Sequence, residues 1–295
     1  MKTYLLFLSL LSLSCKMMDG KKGNGDIVKE NFAAGKDIFI ENKDIDQEID
    51  FTLYAKDNLM SVGISQVKTV ASVTFKDCKF KKRAAAFRND AKGKKVIMTH
   101  FLSNLSFINC RFEEDFDFRG VTVAGKTDFS NSIFYKKVIL EEASFGGNAY
   151  FNNGSFEDEV RFQNSFFQQK ANFMNTKFDK VTSFQSAVFN HELQFSSARF
   201  KAYADFSLIE CHARSFFNYT DFQKKAVFSN ANFSNDVQYV GAKFNIGEWH
   251  QVRFLGASSF VKCTVEDNLG FKECYHPFQN LDLSHLSANK YKIEK

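Results

Sequence analysis

One proline, one tryptophan and 15 glycines in 295 residues leave no room for a collagen-like or proline-rich low-complexity chain. Charge of one sign is also missing: 39 Lys plus Arg stand against 34 Asp plus Glu, so the net +5 does not by itself imply a polyanionic partner. The six cysteines include no CxxC pair, and no GxSxG, P-loop, HExxH or glycine-rich dinucleotide motif is present. The apolar run at residues 4–13 is too short to span a bilayer as a stable anchor. What the chain has in excess is phenylalanine. Its 37 Phe sit within a hydrophobic content of 44%, which permits a sizeable core and argues against intrinsic disorder.

The first residues read as an export signal. Met1 and Lys2 give a short positive region, residues 4–13 an apolar stretch, and Ser14 a small residue directly before Cys15. The run LSLSC at residues 11–15 resembles the lipobox of bacterial lipoproteins, although Leu13 is bulkier than the usual pattern. The resemblance implies a signal peptide at residues 1–14, lipidation of the Cys15 thiol, and residence in the bacterial cell envelope. Lys16 stands where an Asp marks inner-membrane retention in some lipoproteins, which by analogy favours the outer membrane, on its periplasmic face or at the cell surface. Two acyl chains hold a protein stably where one is marginal. Residues 15–36, polar and glycine-containing after the cysteine, read as a flexible tether.

Large apolar residues then step alternately five and six positions along most of the chain. Phe107, Phe112, Phe118, Val123, Phe129, Phe134, Leu140, Phe145 and Phe151 begin a series that continues to Phe244. Trp249 arrives one residue early, after which Phe254, Phe260, Val265 and Phe271 resume the rhythm. Small residues such as Ala143, Thr176, Ala187, Ala198 and Ala231 stand two positions before the large ones. Neither a 3.6-residue nor a strict two-residue period fits these steps. A coil with corners does fit, with one short side per large residue and four sides closing after 22 residues; successive coils stack as parallel strands about 4.8 Å apart.

In this step pattern the chain resembles the pentapeptide-repeat family in its Phe-centred variant. The resemblance implies an all-β fold, a right-handed quadrilateral parallel β-helix with about 22 residues per coil, over residues 70–275. The extra residue at every second corner departs from the plain five-residue pattern and should widen two of the four turns. Residues 37–69 fit the rhythm weakly and are expected to form an N-terminal cap or irregular first coils, and residues 276–295 a C-terminal cap or tail. The step from Phe80 to Val96 is long, which predicts a basic loop at about 81–95 beside Glu113, Glu114 and Asp115. Lys81, Lys82 and Arg83 there read either as a contact for anionic lipid or polyanion, or as a solvated excursion docked on those acids.

The 22-residue register places Lys137 between Asp115 and Glu159, and Arg214 between Glu192 and Asp236, so charges alternate up the walls as neighbouring strands favour. Cys78 and Cys110 fall on adjacent coils, within disulfide reach in principle, but stacked parallel side chains seldom have the needed torsion, and the pairing stays open. Cys263 shares their inward slot and Cys211 replaces a Phe, so small buried side chains are the expected role. His191, Glu192 and His212 meet at one corner without a third strong ligand, and no metal or other cofactor is expected.

No catalytic constellation emerges, since carboxylates form ladders rather than convergent pairs. Phe166 and Val188 stack outward on one wall and, with the basic loop, are the candidate partner contacts; Ile133, Ile139, Tyr150 and Phe216 also point outward. The expectation is a non-enzymatic β-helical scaffold or binding module, attached to the membrane through lipid on Cys15 and meeting a protein or matrix partner. A carbohydrate-active β-helix enzyme would need clustered carboxylates. The DNA-mimicking gyrase modulators of the resembled family would need an acidic rod in the cytoplasm, so no nucleic-acid partner is expected. Oligomeric state is left open.

Overall fold

The computed structural model describes residues 23–54, 63–89, 92–276, 281–288 and 291–294, and Cys15 lies outside them. Short strands, most of two residues, stack in parallel into one eleven-stranded sheet, one ten-stranded sheet and one nineteen-stranded sheet that makes up two walls. The coils therefore have four sides and fit the right-handed β-helix expected from the step pattern. The register is the 22-residue one: Phe112 pairs with Phe134, Phe134 with Phe156 and Phe156 with Phe178. After Phe222 the offset falls to 21, with Lys225 opposite Ile246 across a bulge, which is how the early Trp249 is absorbed without leaving the core.

Rings fill the interior in columns. Phe112 stacks on Phe134 at 4.6 Å between centroids, Phe134 on Phe156 at 4.9 Å, and Phe178 on Phe200 at 4.7 Å. Neighbouring columns meet edge to face, as Phe173 does with Phe184 at 5.2 Å. Each such ring contributes on the order of 1.5–3 kcal/mol by burial. The small residues two positions earlier, Ala143, Thr176, Ala187, Ala198 and Ala231, are fully buried and leave the space those rings occupy.

The corners are of two kinds, and the backbone explains the five-six alternation. From Asn109 through Gly120, Asn131, Glu142 and Asn153 to Asn230, a residue with φ between 53° and 61° recurs every eleven positions. All of these sit in the five-residue steps, where a single left-handed residue turns the chain sharply. The six-residue steps between them turn without one among the described residues. Asn tolerates this conformation better than other side-chain-bearing residues, and Asn131, Asn153 and Asn175 form an amide ladder with contacts of 3.1 Å at each rung.

The thiols and hydroxyls of the inward slot have a structural role of their own. Ser132 Oγ donates to the Phe107 carbonyl at 2.7 Å, Thr176 Oγ1 to Phe151 at 2.9 Å, and Cys263 Sγ to Tyr239 at 2.8 Å. Each donor closes a sharp corner onto the coil beneath. Cys110 does the same to the Phe75 carbonyl at 3.5 Å. Cys78 and Cys110 are in register on adjacent coils, flanked by the Lys79 and Arg111 pair, yet both are free thiols.

At both ends the described residues form regular elements. Residues 24–34 do not form a tether: Asn24–Ala34 is a helix that buries Val28 and Phe32 and ends at the left-handed Gly35. Phe32 lies on Phe51, Tyr54 and Phe101 at 5.4, 5.6 and 6.0 Å, closing the open end of the core. Residues 37–54 and 63–69 make a complete first coil, because Ile38–Glu41, Asp44–Ile45, Ile49–Asp50 and Gly63–Thr69 each pair in parallel with the coil above. Ile45 stands where Phe stands elsewhere, and Ile49 takes the smaller inward slot opposite Ala84. At the other end Leu281–Asp282, Ser287–Ala288 and Tyr291–Glu294 add one more parallel layer instead of a terminal tail.

The predicted loop at 81–95 is also redrawn. Ala84–Ala85 is a strand of the wall, pairing with Phe116–Asp117, and Ala86 takes the inward position that the step pattern gave to Val96. The ring missing above Ala86 is replaced from below, where Phe51 reaches within 6.1 Å of Phe118. The true excursion is a hairpin in which Phe87–Asn89 runs antiparallel to Val96, Ile97 and Met98. It folds back onto the wall, with Phe87 beneath the Arg119 guanidinium at 4.5 Å and Met98 against Gly120, which has no room for a Cβ.

Candidate functional site

The side chains that can meet a partner lie on four flat walls, since the interior is closed by packed rings. Many charged residues on these walls are paired between coils. Lys79 reaches Glu113 at 2.7 Å, Lys137 reaches Glu159 at 3.4 Å, Lys170 reaches Glu192 at 2.7 Å, and Arg214 reaches Asp236 at 3.9 Å. The Arg161 guanidinium also bonds Glu159 at 2.6 Å and, with Lys137, holds its carboxyl below the usual glutamate value. Lys170 does the same to Glu192.

The basic contacts read from the sequence are neutralised rather than free. Lys81 lies 2.8 Å from Asp44 and 2.9 Å from Asp46. Arg83 is 3.1 Å from Asp117 and 3.5 Å from Glu48. These partners belong mainly to the first coil, not to the Glu113, Glu114 and Asp115 corner. Lys82 is exposed between them. Phe166 and Val188 are register neighbours, half-buried and not fully outward, and Ser144 and Glu210 bound their column, so the apolar strip is only two residues tall. Ile133, Ile139, Tyr150 and Phe216 are half-buried with polar or charged register neighbours on at least one side. They form no continuous apolar surface.

The remaining polar clusters are structural. Glu192 is engaged by Lys170, and His212 faces Glu210 at 3.6 Å instead of His191. Among the described residues no group of three or more His, Cys, Asp or Glu could hold a metal ion. The neighbouring Cys110 thiol holds the Cys78 thiol down, at about 7, while its own is pushed up. Burial pushes Cys211 and Cys263 up to about 12.

The structure reveals a different basic surface that sequence reading missed. Lys177, Arg199, Asp221 and Lys243 are consecutive register partners on one wall. Lys180, Lys201 and Lys224 project from the adjoining corner, all exposed. Arg199 is 3.3 Å from Asp221 and Lys201 is 2.8 Å from Asp179. Lys177, Lys180, Lys224 and Lys243 have no carboxylate partner among the described residues. At its far end an open depression of about 360 Å³ is lined by Asp221, Gln223, Lys243, Asn245 and Glu266. In the linear sequence these lysines are dispersed over 67 positions; reading them in columns of 22 is the signal that could have found them.

Comparison with known families is informative at the centre of this solenoid. Residues 129–173 match the family model of pentapeptide repeats (9 copies). That stretch spans about two coils and includes Phe129, Phe134, Phe151, Phe156 and Phe173, whose rings stack in the core. The pentapeptide-repeat match agrees with the resemblance read from the Phe steps, and the parallel coils extend well beyond it on both sides. No curated protein and no solved structure matches the chain. Among the described residues no helix is long and apolar enough to cross a membrane.

Proposed function

We propose that this protein is a lipid-anchored, non-enzymatic β-helical scaffold or binding module of the bacterial envelope. The observation that carries the reading is the solenoid itself: inward positions are committed to ring packing, and what remains for contact is a set of rigid outer walls. The pentapeptide-repeat match supports a structural or binding role over a catalytic one. Anchoring is supported by the sequence at residues 11–15, where the apolar run ends in Ser14 and Cys15. The outer membrane is the proposed site, by analogy with the residue that follows Cys15.

The test is metabolic labelling of cells with a fatty-acid analogue, comparing the wild-type chain with Cys15→Ala, beside protease digestion of intact and permeabilised cells. Label on the wild type, lost in the variant, is the expected result. Equal label in both, or none in either, overturns the anchor. Digestion on intact cells assigns the walls to an external partner; protection until permeabilisation assigns them to a periplasmic one.

A further inference from the structure

Resting on the envelope reading above, we propose that the wall carrying Lys177, Lys180, Arg199, Lys201, Lys224 and Lys243 lies on an anionic membrane surface. The argument begins with a break in a rule. Many wall cations stand over an anion, and where two cations oppose each other at Lys79 and Arg111 a carboxylate, Glu113, pairs with Lys79; like charges directly opposite on neighbouring strands destabilise the pair. At Lys177 and Arg199 two cations are register partners. Asp221 follows Arg199, but Lys243 then comes next, and the corner adds Lys180 and Lys224 with no carboxylate partner. Arg199 and Lys201 have carboxylate partners in Asp221 and Asp179, but Lys177, Lys180, Lys224 and Lys243 add no ion pair to the fold among the described residues.

Three features favour a lipid surface over a soluble chain. The cations lie across a flat, rigid sheet and its corner, covering three strand spacings, about 14 Å, from Lys177 to Lys243. Val181 and Tyr203, exposed by 45% and 37%, stack at the same corner beside them. A tyrosine among lysines suits the membrane–water boundary, where its ring meets the headgroup layer. The anchor also permits this posture. Lys177 sits five strand spacings, about 24 Å, from the first coil, while the eight residues from Cys15 to Gly23 can extend at most roughly 29 Å. The rod can therefore lie along the surface that holds its lipid. One acyl-anchored end plus a polybasic wall gives two attachments.

The experiment uses the full chain with Cys15→Ala, so that vesicle binding reports the wall and not the lipid, and a failed lipoprotein assignment leaves this test intact. Sedimentation with phosphatidylcholine vesicles containing about one-third phosphatidylglycerol is expected to show binding that weakens as salt rises; vesicles of phosphatidylcholine alone show none. Replacing Lys177, Lys180, Lys224 and Lys243 by Gln is expected to lower affinity about fivefold per lysine, since each is worth about 1 kcal/mol near such a surface. Lys81→Gln with Arg83→Gln, at charges already paired, changes it less than about twofold. Circular dichroism checks that each variant keeps its β signal. Unchanged binding by the four-lysine variant overturns the proposal. So does binding to dextran sulfate with no binding to anionic vesicles, which would assign the wall to a soluble polyanion.

Discussion

Leu208 occupies a left-handed corner, φ 60°, with a bulky side chain 46% exposed. A branched apolar residue gains little there and meets the steric cost of that conformation, about 1–2 kcal/mol. Leu208→Asn is therefore expected to stabilise the protein by about 1 kcal/mol, read as a higher urea midpoint at unchanged slope; a lower midpoint would contradict the steric account. The eleven-residue recurrence of this corner was not legible in the sequence, because Glu142, Ser186, Leu208, Tyr219 and Lys262 all occupy it. Only the Asn109, Asn131, Asn153 and Asn175 column hinted at it. The large and small inward residues were legible, since burial selects apolar types strictly, whereas an exposed corner held by its neighbours accepts many side chains.

A rung of the wall, one strand over the next, behaves differently with pH. Glu159 accepts from Arg161 at 2.6 Å and pairs with Lys137, and its carboxyl is held below the ordinary value in the folded protein. A depressed folded value means the rung stabilises the protein above the unfolded glutamate range and loses that contribution as pH falls through the folded value. Because the side chains are partly exposed, the contribution is small, about 0.2–1 kcal/mol. Glu159→Gln should therefore unfold at lower urea than wild type at pH 7, and the two midpoints should converge in acid; a gap that persists in acid would assign the effect to packing. These ladders were legible as soon as the 22-residue register was known.

Elements at the edges of the solenoid were not legible, for two reasons. Ile40 and Ile45 replace Phe in the first coil, Ile38 and Ile49 fill its smaller inward slots opposite Val73 and Ala84, and Ala86 leaves its ring position to Phe51 from another coil. A periodic reading sees ring size along the chain, but the core conserves filled volume across coils. The basic wall was missed for a related reason: its members belong to one surface only after the chain has been wound.

At the scale of the molecule, each coil touches its neighbours above and below, so the rod should tolerate loss of a whole coil but not of one side. Deleting residues 150–171 joins Ala149 to Asn172, which already occupies the register position of Tyr150 on the coil above. Core columns, charge columns and both corner types then continue across the seam. Deleting only residues 150–154 joins Ala149 to Ser155 and keeps the local small-to-large spacing, but removes the left-handed Asn153 corner and sets five-residue corners against six-residue ones in every later coil. The 22-residue deletion is expected to keep the β circular-dichroism signal per residue and a cooperative melt within a few degrees of wild type. The five-residue deletion, though less than a quarter of its length, is expected to lose the melt. Equal tolerance of both would mean that the coils do not have to stay in register, and the alternating corner would have no part in specifying the fold.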